Sequence, residues 1–331
     1  MTGLAQRIRA ELSESLPLQS FARNRSIAVL LPCFNEEATV AGVVAGFRAA
    51  LPGATIYVYD NNSTDRTAAR AAEAGAVVRF EPYQGKGNVV RRMFADIDAD
   101  VLVLADGDMT YDPAHAGRLI DLLVGENLDM VVGARVSEEE AAYRAGHRLG
   151  NQVFNRIVQG LFGQGFTDIF SGYRVFSRRF AKSFPAGSSG FEIETELAVH
   201  ALDLKLACRE VPILYGSRPE NSHSKLDTYR DGARILRRIA RMYRTLNPLR
   251  FYSACAGGLV LAALALGLPL LLTYLDTGLV PRLPTAILTM GLIQMAMLAG
   301  ACGLILEEIA ASRRELKRLR YLDLPSPAAG R

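Results

Sequence analysis

The stretch LVLADGDMTYDP, Leu102 to Pro113, decides how the rest of the chain is read. Val101 to Leu104 are consecutive apolar residues, the signal of a short buried strand. The run then breaks into two carboxylates, Asp106 and Asp108, with only Gly107 between them. In an open parallel α/β sheet, ligands bind outside the carboxyl ends of the strands, so an Asp-x-Asp there is well placed to meet a nucleotide. Its oxygens suit Mg²⁺ or Mn²⁺, which one or two carboxylates hold while substrate phosphates and water complete the shell. Alone, the tripeptide reads equally well as a polar turn. The surrounding sequence has to decide.

Working outward, short β-type runs alternate with longer helical ones from Ile27 onward. Ile27–Leu31 precedes a helix over 36–50, Thr55–Tyr59 one over 64–74, and Ala76–Phe80 one over 88–97. Val101–Ala105 precedes a helix over 113–125, and Met130–Val132 one over 144–161. That spacing predicts an α/β fold with a mostly parallel sheet and helices on both faces. Residues 1–26 read as an N-terminal extension with a helical pattern through Leu4, Ile8 and Leu12, and no signal-peptide apolar core.

The chain has 331 residues, 50% of them hydrophobic, and the apolar excess is concentrated near the C-terminus. Phe251–Thr273 and Leu283–Leu306 carry no Asp, Glu, Lys, Arg or His. A 23-residue helix spans about 34 Å against a bilayer core of about 30 Å. Two transmembrane helices are expected. Arg237, Arg238, Arg241, Arg244 and Arg250 precede the first span, and Arg313, Arg314, Lys317, Arg318 and Arg320 follow the second. Positive-inside bias puts both termini and the large N-terminal part in the cytoplasm, with residues 307–331 as a basic tail. Over 228–250, Arg230, Arg234, Arg237, Arg241 and Arg244 form one helical stripe, opposite Ile235, Ile239, Met242 and Leu246. This predicts a basic interfacial helix, each cation contributing about 1 kcal/mol near an anionic leaflet. The net charge of +4 is mild and lies beside the membrane segments, which argues against a nucleic-acid partner. Cys33, Cys208, Cys255 and Cys302 show no Cys-x-x-Cys spacing, so neither a zinc site nor a disulfide framework is suggested.

Other strand ends also carry polar motifs. Pro32 closes the first strand, and Asn35 with Glu36 offer an amide and a carboxylate, or simply a helix cap. Asp60 ends the second strand in YDNNSTD. In QGKGN, Gly85 and Gly87 flank Lys86 and allow backbone amides to approach a phosphate. A dinucleotide fingerprint would need a third glycine where Val90 stands, which weakens a dehydrogenase reading.

Taken in order, LPCFNEE, YDNNSTD, GKGN, DGDMTYDP, GAR at 133–135, SGYRVF at 171–176, GFEIETEL at 190–197 and RPENSHSKL at 218–226 resemble family 2 glycosyltransferases of the GT-A fold. Within that family the set is similar to the polyprenyl-phosphate glycosyltransferases, relatives of dolichyl-phosphate mannose and glucose synthases. The resemblance implies a Rossmann-like catalytic domain over 27–227. It places Pro32, Asn35, Glu36, Asp60, Lys86, Asp106, Arg218 and Lys225 at the nucleotide-sugar, and Asp106 and Asp108 on the metal. Asp168, in TDIFSGYR, matches a functionally placed acid, so the catalytic set reads Asp106, Asp108 and Asp168. Asn61-Asn62 stands where many relatives carry Asp-Gly, and Thr110 where mannosyl-phosphate synthases tend to carry Gln. That leans toward a UDP-sugar donor, with GDP-mannose behind it.

The basic residues between the acids and the spans suggest an acceptor that is both anionic and apolar. Arg144 and Arg148 lie four apart on one helix face, Arg135 ends a strand run and Arg174 follows in SGYR. These four are the candidate acceptor-phosphate residues. The expected reaction is inverting transfer from a nucleotide-sugar to a polyprenyl phosphate, using Mg²⁺ or Mn²⁺, at the cytoplasmic membrane face. Self-association is left open. A soluble or glycan acceptor is the alternative, followed by a non-catalytic nucleotide-sugar-binding membrane protein. A processive polysaccharide synthase is disfavoured because such relatives carry a Gln-x-x-Arg-Trp motif and this chain has no tryptophan.

Overall fold

The computed structural model describes residues 25–137, 145–163, 165–216 and 228–328; at 137, 145–153 and 228–231 the backbone alone is described. The apolar runs of the first half become parallel strands: β1 (Ile27–Cys33), β2 (Thr55–Asp60), β3 (Val77–Phe80) and β4 (Val101–Leu104), adjacent in the order β3-β2-β1-β4. Helices α1 (Val40–Ala50), α2 (Thr67–Glu73), α3 (Lys86–Asp96) and α4 (His115–Gly125) follow them in turn. Val29, Leu30, Leu31, Val101 and Val103 are fully buried. Layers on both faces explain why these strands read as unbroken apolar runs rather than alternating ones. Each such side chain contributes on the order of 2 kcal/mol by leaving water. The chain winds outward from β1 to β3 and then returns to β4 on the other side of β1. That reversal is a topological switch point, and the crevice for a ligand lies beyond the carboxyl ends of β1 and β4.

The sheet continues through β5 (Met130–Ser137), β6 (Arg174–Ser177) and β7 (Cys208–Tyr215), giving the full order β3-β2-β1-β4-β6-β5-β7. β7 is parallel to β5, whereas β6 lies antiparallel between β4 and β5. The mostly parallel sheet is as expected; the antiparallel strand was not. RVFS is four residues, all buried, and too short to display a period. Helices α5 (Ala145–Phe162), α6 (Arg178–Ser183) and α7 (Ile193–Leu204) complete this part. Ser177 caps α6, its Oγ accepting from Phe180 N at 3.1 Å.

Helices α8 (Thr228–Leu246), α9 (Pro248–Thr277) and α10 (Leu283–Leu322) end the fold. The described residues up to 236 and from 317 onward form one compact unit, and Arg237–Leu316 form a second. The most apolar windows of α9 and α10 reach mean hydropathies of 2.3 and 1.8, and only 6% and 11% of them are buried. Leu261 and Leu275 are each 69% exposed. At about 1.5 Å per residue, both helices are long and apolar enough to cross a membrane. The segment read as a basic tail begins inside α10, which continues as helix to Leu322. In α8, Ile235, Ile239 and Met242 are buried within the protein, while Arg234, Arg237, Arg241 and Arg244 face outward. The apolar stripe is therefore used for packing, and the arginine stripe is what the helix presents. The N-terminal helix expected within 1–26 lies outside the described residues up to residue 24.

Candidate active site

The turn after β4 sets its two acids in different surroundings. Asp108 is buried, and its Oδ1 accepts from Thr110 Oγ1 at 2.6 Å and from Thr110 N at 3.2 Å. Met109, with φ of 60°, takes the left-handed conformation that brings Thr110 back over Asp108. Thr110, read in the sequence as a mark of donor preference, is thus the residue that orients Asp108. The Asp106 side chain stays 29% exposed, and its Oδ1 lies 2.5 Å from Lys86 Nζ.

Lys86 arrives from the other side, at the start of α3. Asn61 holds the preceding loop: its amide nitrogen donates to Glu81 O and Tyr83 O, and its Oδ1 accepts from Gly85 N at 2.6 Å. Gly85 has φ of 129°, and a side chain at Gly85 or Gly87 would collide with the carbonyl of Ser189 or Ser188. The two glycines let α3 begin against that loop and aim Lys86 inward. Its ammonium is 2.6 Å from Glu194 Oε1 as well, making a bridge between two carboxylates. Burial alone would lower the Lys86 pKa, but Asp106 and then Glu194 outweigh it and hold the group above its ordinary value. Burial pushes the Glu194 carboxyl up, against the pull of Lys86.

Glu192 and Glu194 lie two apart, a spacing that does not share one helix face. The structure buries both, Glu192 as the residue preceding α7 and Glu194 on Lys86. The available signal was three acids, Glu192, Glu194 and Glu196, interleaved with Phe191, Ile193 and Leu197 in GFEIETEL, since buried carboxylates need partners.

The residues expected to wall the nucleotide lie at the ends of β1 and β2. Pro32 and Cys33 pair with Tyr59 and Asp60 in parallel register. Asp60 is buried; its Oδ2 accepts from Ser63 N at 3.3 Å, while Oδ1 has no hydrogen-bond partner among the described residues. Asn35, with φ of 53°, accepts from Thr64 N on Oδ1 at 2.8 Å, and Glu36 N donates to Thr67 Oγ1 at 2.8 Å. These ties hold 34–39 as a turn, which is why α1 starts at Val40 rather than at 36. A cleft of about 640 Å³ opens beside this turn, lined by Asn35, Glu36, Glu37, Ala38, Ala41, Asp65 and Arg70. Asp60, Lys86, Asp106 and Asp108 are not in its lining; Asp60 ends β2, and Asp106 and Asp108 follow β4.

On the far side, Arg135 and Asp168 meet. The guanidinium is bidentate on the carboxylate, with Nε and an Nη each at 2.7 Å, and Arg135 N adds a third bond at 3.1 Å. Burial would raise the Asp168 pKa, but the Arg135 bonds and charge hold it below the ordinary carboxylate range. Glu210 accepts from the backbone amides of Thr167 and Asp168, fixing the loop, and Arg135 lies 5.5 Å from the Tyr215 ring centre. Tyr215 packs on Tyr111, whose hydroxyl accepts from Gly172 N at 2.8 Å. A Cβ on Gly172 would come within 2.5 Å of Asp106 Oδ2, so this backbone closes on the first acid and links the two sides.

Arg174 does not join them. It is fully buried and donates to the carbonyls of Ser171 and Ile169, so it supports the loop instead of reaching an acceptor phosphate. The strand that carries it is buried at all four positions, so its side chain is enclosed. Arg144, Arg218 and Lys225 lie outside the described residues, and Arg148 is described in backbone alone.

Asp106 and Asp108 form an oxygen-only donor pair, one of them partly open and the other oriented by Thr110. Among the described residues no group of three or more acidic, histidine or cysteine side chains is placed to hold a metal ion. Carboxylate oxygens of this kind suit a hard divalent cation that takes the rest of its shell from substrate and water.

The glycosyltransferase family 2 model matches residues 28–184. Glycosyltransferase AglJ of Haloferax volcanii is 36% identical over 251 residues, 75% of this chain and 82% of that protein. A dolichyl-phosphate hexose transferase of the same organism is 28% identical over 216 residues, covering 65% of this chain and 93% of the relative. Among solved structures, a Mycobacterium tuberculosis glucosyl-3-phosphoglycerate synthase in complex with Mn²⁺, UDP-glucose and phosphoglyceric acid superposes with a TM-score of 0.57 at 25% identity. That match covers 68% of this chain and 82% of the other.

Proposed function

This chain belongs to glycosyltransferase family 2, with the GT-A fold, and from that premise we propose that it transfers a sugar from a nucleotide-sugar to a polyprenyl phosphate at a membrane surface. The carrying observation is that one chain joins the acid and lysine site to two helices whose leucines are exposed. The relative named for dolichyl phosphate supports a lipid acceptor, and the neighbour solved with UDP-glucose supports a UDP-sugar. In this reading residues 27–227 are catalytic, 228–250 lie along the membrane surface and 251–306 form a hairpin. Arginines flanking both spans keep the termini on the cytoplasmic side.

Pro32, Asn35, Glu36 and Asp60 hold the nucleoside, the unpartnered Asp60 Oδ1 accepting a hydroxyl or a base N–H. Lys86 faces the diphosphate, joined by Arg218 and Lys225. Asp106 and Asp108 would hold Mg²⁺ or Mn²⁺, which neutralises charge on the diphosphate when bound. Arg135, with Arg144 and Arg148, receives the acceptor phosphate. Asp168 orients Arg135 through its bidentate pair and acts by placement, since its lowered pKa makes it a poor base. None is required: a phosphate monoester is mostly dianionic at pH 7, with a second pKa of about 6. One of its oxygens attacks the anomeric carbon in line as the bond to the diphosphate oxygen breaks, inverting the centre. The leaving group departs as nucleoside diphosphate.

The test is nucleoside diphosphate release by purified protein in detergent with Mn²⁺, over a panel of sugar nucleotides, with and without undecaprenyl phosphate. We expect release with one donor, dependent on lipid and reduced at least 100-fold in Asp108→Ala. Release without lipid would favour a soluble acceptor, and none with any donor would favour a binding protein.

A further inference from the structure

Lys86 occupies an unusual position for a residue assigned to a diphosphate. Its ammonium lies 2.5 Å from Asp106 Oδ1 and 2.6 Å from Glu194 Oε1, and the side chain is 9% exposed. We propose that Lys86 is the site's internal counter-cation, neutralising Asp106 while no divalent ion is bound and passing to Glu194 when one arrives. The proposal rests on the reading that Asp106 and Asp108 hold the ion.

An ammonium and a divalent ion in contact with the same carboxylate repel strongly in a partly buried site, so an arriving ion drives Lys86 away from Asp106. The site holds a second acceptor ready. Glu194 Oε2 is buried and has no hydrogen-bond partner among the described residues, so the carboxylate can take more of the three ammonium protons than it does now. The surroundings favour a side-chain movement alone. Gly85 and Gly87 are packed against the carbonyls of Ser189 and Ser188, fixing the Lys86 backbone. Glu196 accepts from Gly187 N and Ser188 N at 2.9 and 2.8 Å, tying the first turn of α7, and so Glu194, to the same loop. What remains free to move is the lysine's flexible four-carbon stem. Asp108, oriented by Thr110, is the constant member of the pair. Glu194 is then a positioning residue that acts through Lys86.

Net charge alone would make a similar forecast for single substitutions, so the decisive variant keeps it fixed. With carboxylates ionised, Asp106, Asp108, Glu194 and Lys86 sum to −2; in Lys86→Met/Glu194→Gln the two remaining aspartates also sum to −2. Mn²⁺ affinity of the full-length protein in detergent, without nucleotide, is read from the free-ion electron paramagnetic resonance signal. Thermal unfolding confirms that each variant is folded. We expect the double variant to bind Mn²⁺ at least ten-fold more tightly than wild type, and Glu194→Gln alone to bind more weakly, because Lys86 then has only Asp106. In the Lys86→Met background, Glu194→Gln should have no further effect. Double-variant affinity within two-fold of wild type, or weaker, overturns the exchange. If that occurs while Asp108→Ala abolishes binding, the metal pair stands and only the exchange falls. If wild type and double variant both fail to bind Mn²⁺ even with UDP, the metal reading and the exchange fall together.

Discussion

His200 is a titratable residue that the reaction does not use, and its surroundings say why. It lies on α7 with its ring 5.2 Å from the centres of both Phe180 and Phe184, and its Nε2 is 3.3 Å from Ser183 Oγ. Burial, with a smaller contribution from Lys317, lowers its pKa to about 3. The unfolded chain, with an imidazole pKa of about 6.5, binds this proton more readily than the folded one, so stability falls as pH drops from about 6.5 toward about 3. At pH 5 this one group should cost about 2 kcal/mol relative to pH 7.5. Thermal unfolding at the two pH values should show a smaller acid shift in His200→Phe than in wild type; an equal shift would locate the sensitivity elsewhere. His115, whose pKa burial also lowers, uses Nε2 to accept from Leu214 N and adds in the same direction. Asn61 makes the opposite point about local reading. It stands out in sequence as a departure from the family pattern, and in the structure it ties down the loop that delivers Lys86.

At the scale of the element, α8 shows how one amphipathic pattern serves two purposes. Periodicity identified its faces correctly but could not say what covered the apolar one. Ile235, Ile239 and Met242 are buried in protein, so insertion of that face into lipid is not required, and the outward arginines are the part suited to anionic headgroups. Replacing Arg237, Arg241 and Arg244 by Gln should raise the KM for polyprenyl phosphate in vesicles rich in anionic lipid, by about five-fold per residue at most. kcat should be nearly unchanged, and the effect should fade with added salt. Insensitivity to both lipid charge and salt would mean that the stripe faces only water. The strand β6 carries a different lesson. All four of its residues are buried between layers, so Arg174 is enclosed whichever face it takes, and four residues are too few for the sequence to announce that.

For the molecule as a whole, the C-terminal segment belongs with the catalytic unit. Tyr321 donates to Asp129 Oδ2 at 2.9 Å, and Asp129 is fully buried and also accepts from Arg179 and Ser177. Arg179 lies 4.6 Å from the Tyr321 ring centre, Lys317 pairs with Asp203 at 2.9 Å, and Arg25 donates to the carbonyls of Pro327 and Ala328. Tyr321→Phe removes one donor from a buried carboxylate and should destabilise this unit by about 2 kcal/mol. It should also speed proteolysis around residues 323–328. An unchanged melting temperature and cleavage rate would show the segment to be passively apposed.

The sequence by itself determined the first five strands and the two helices long and apolar enough to cross a membrane, because each is a run of apolar residues visible locally. It also determined which acids end which strands, since an Asp that breaks an apolar run needs no partner to be noticed. Charge pairing was decided only by tertiary structure. Lys86 with Glu194, Arg135 with Asp168 and Asp129 with Tyr321 join residues far apart in the chain, and Coulomb attraction and hydrogen bonding leave no periodic trace. Arg135 and Arg174 look alike in sequence; one reaches the site and the other supports it, because folding sets one beside Asp168 and turns the other into the core.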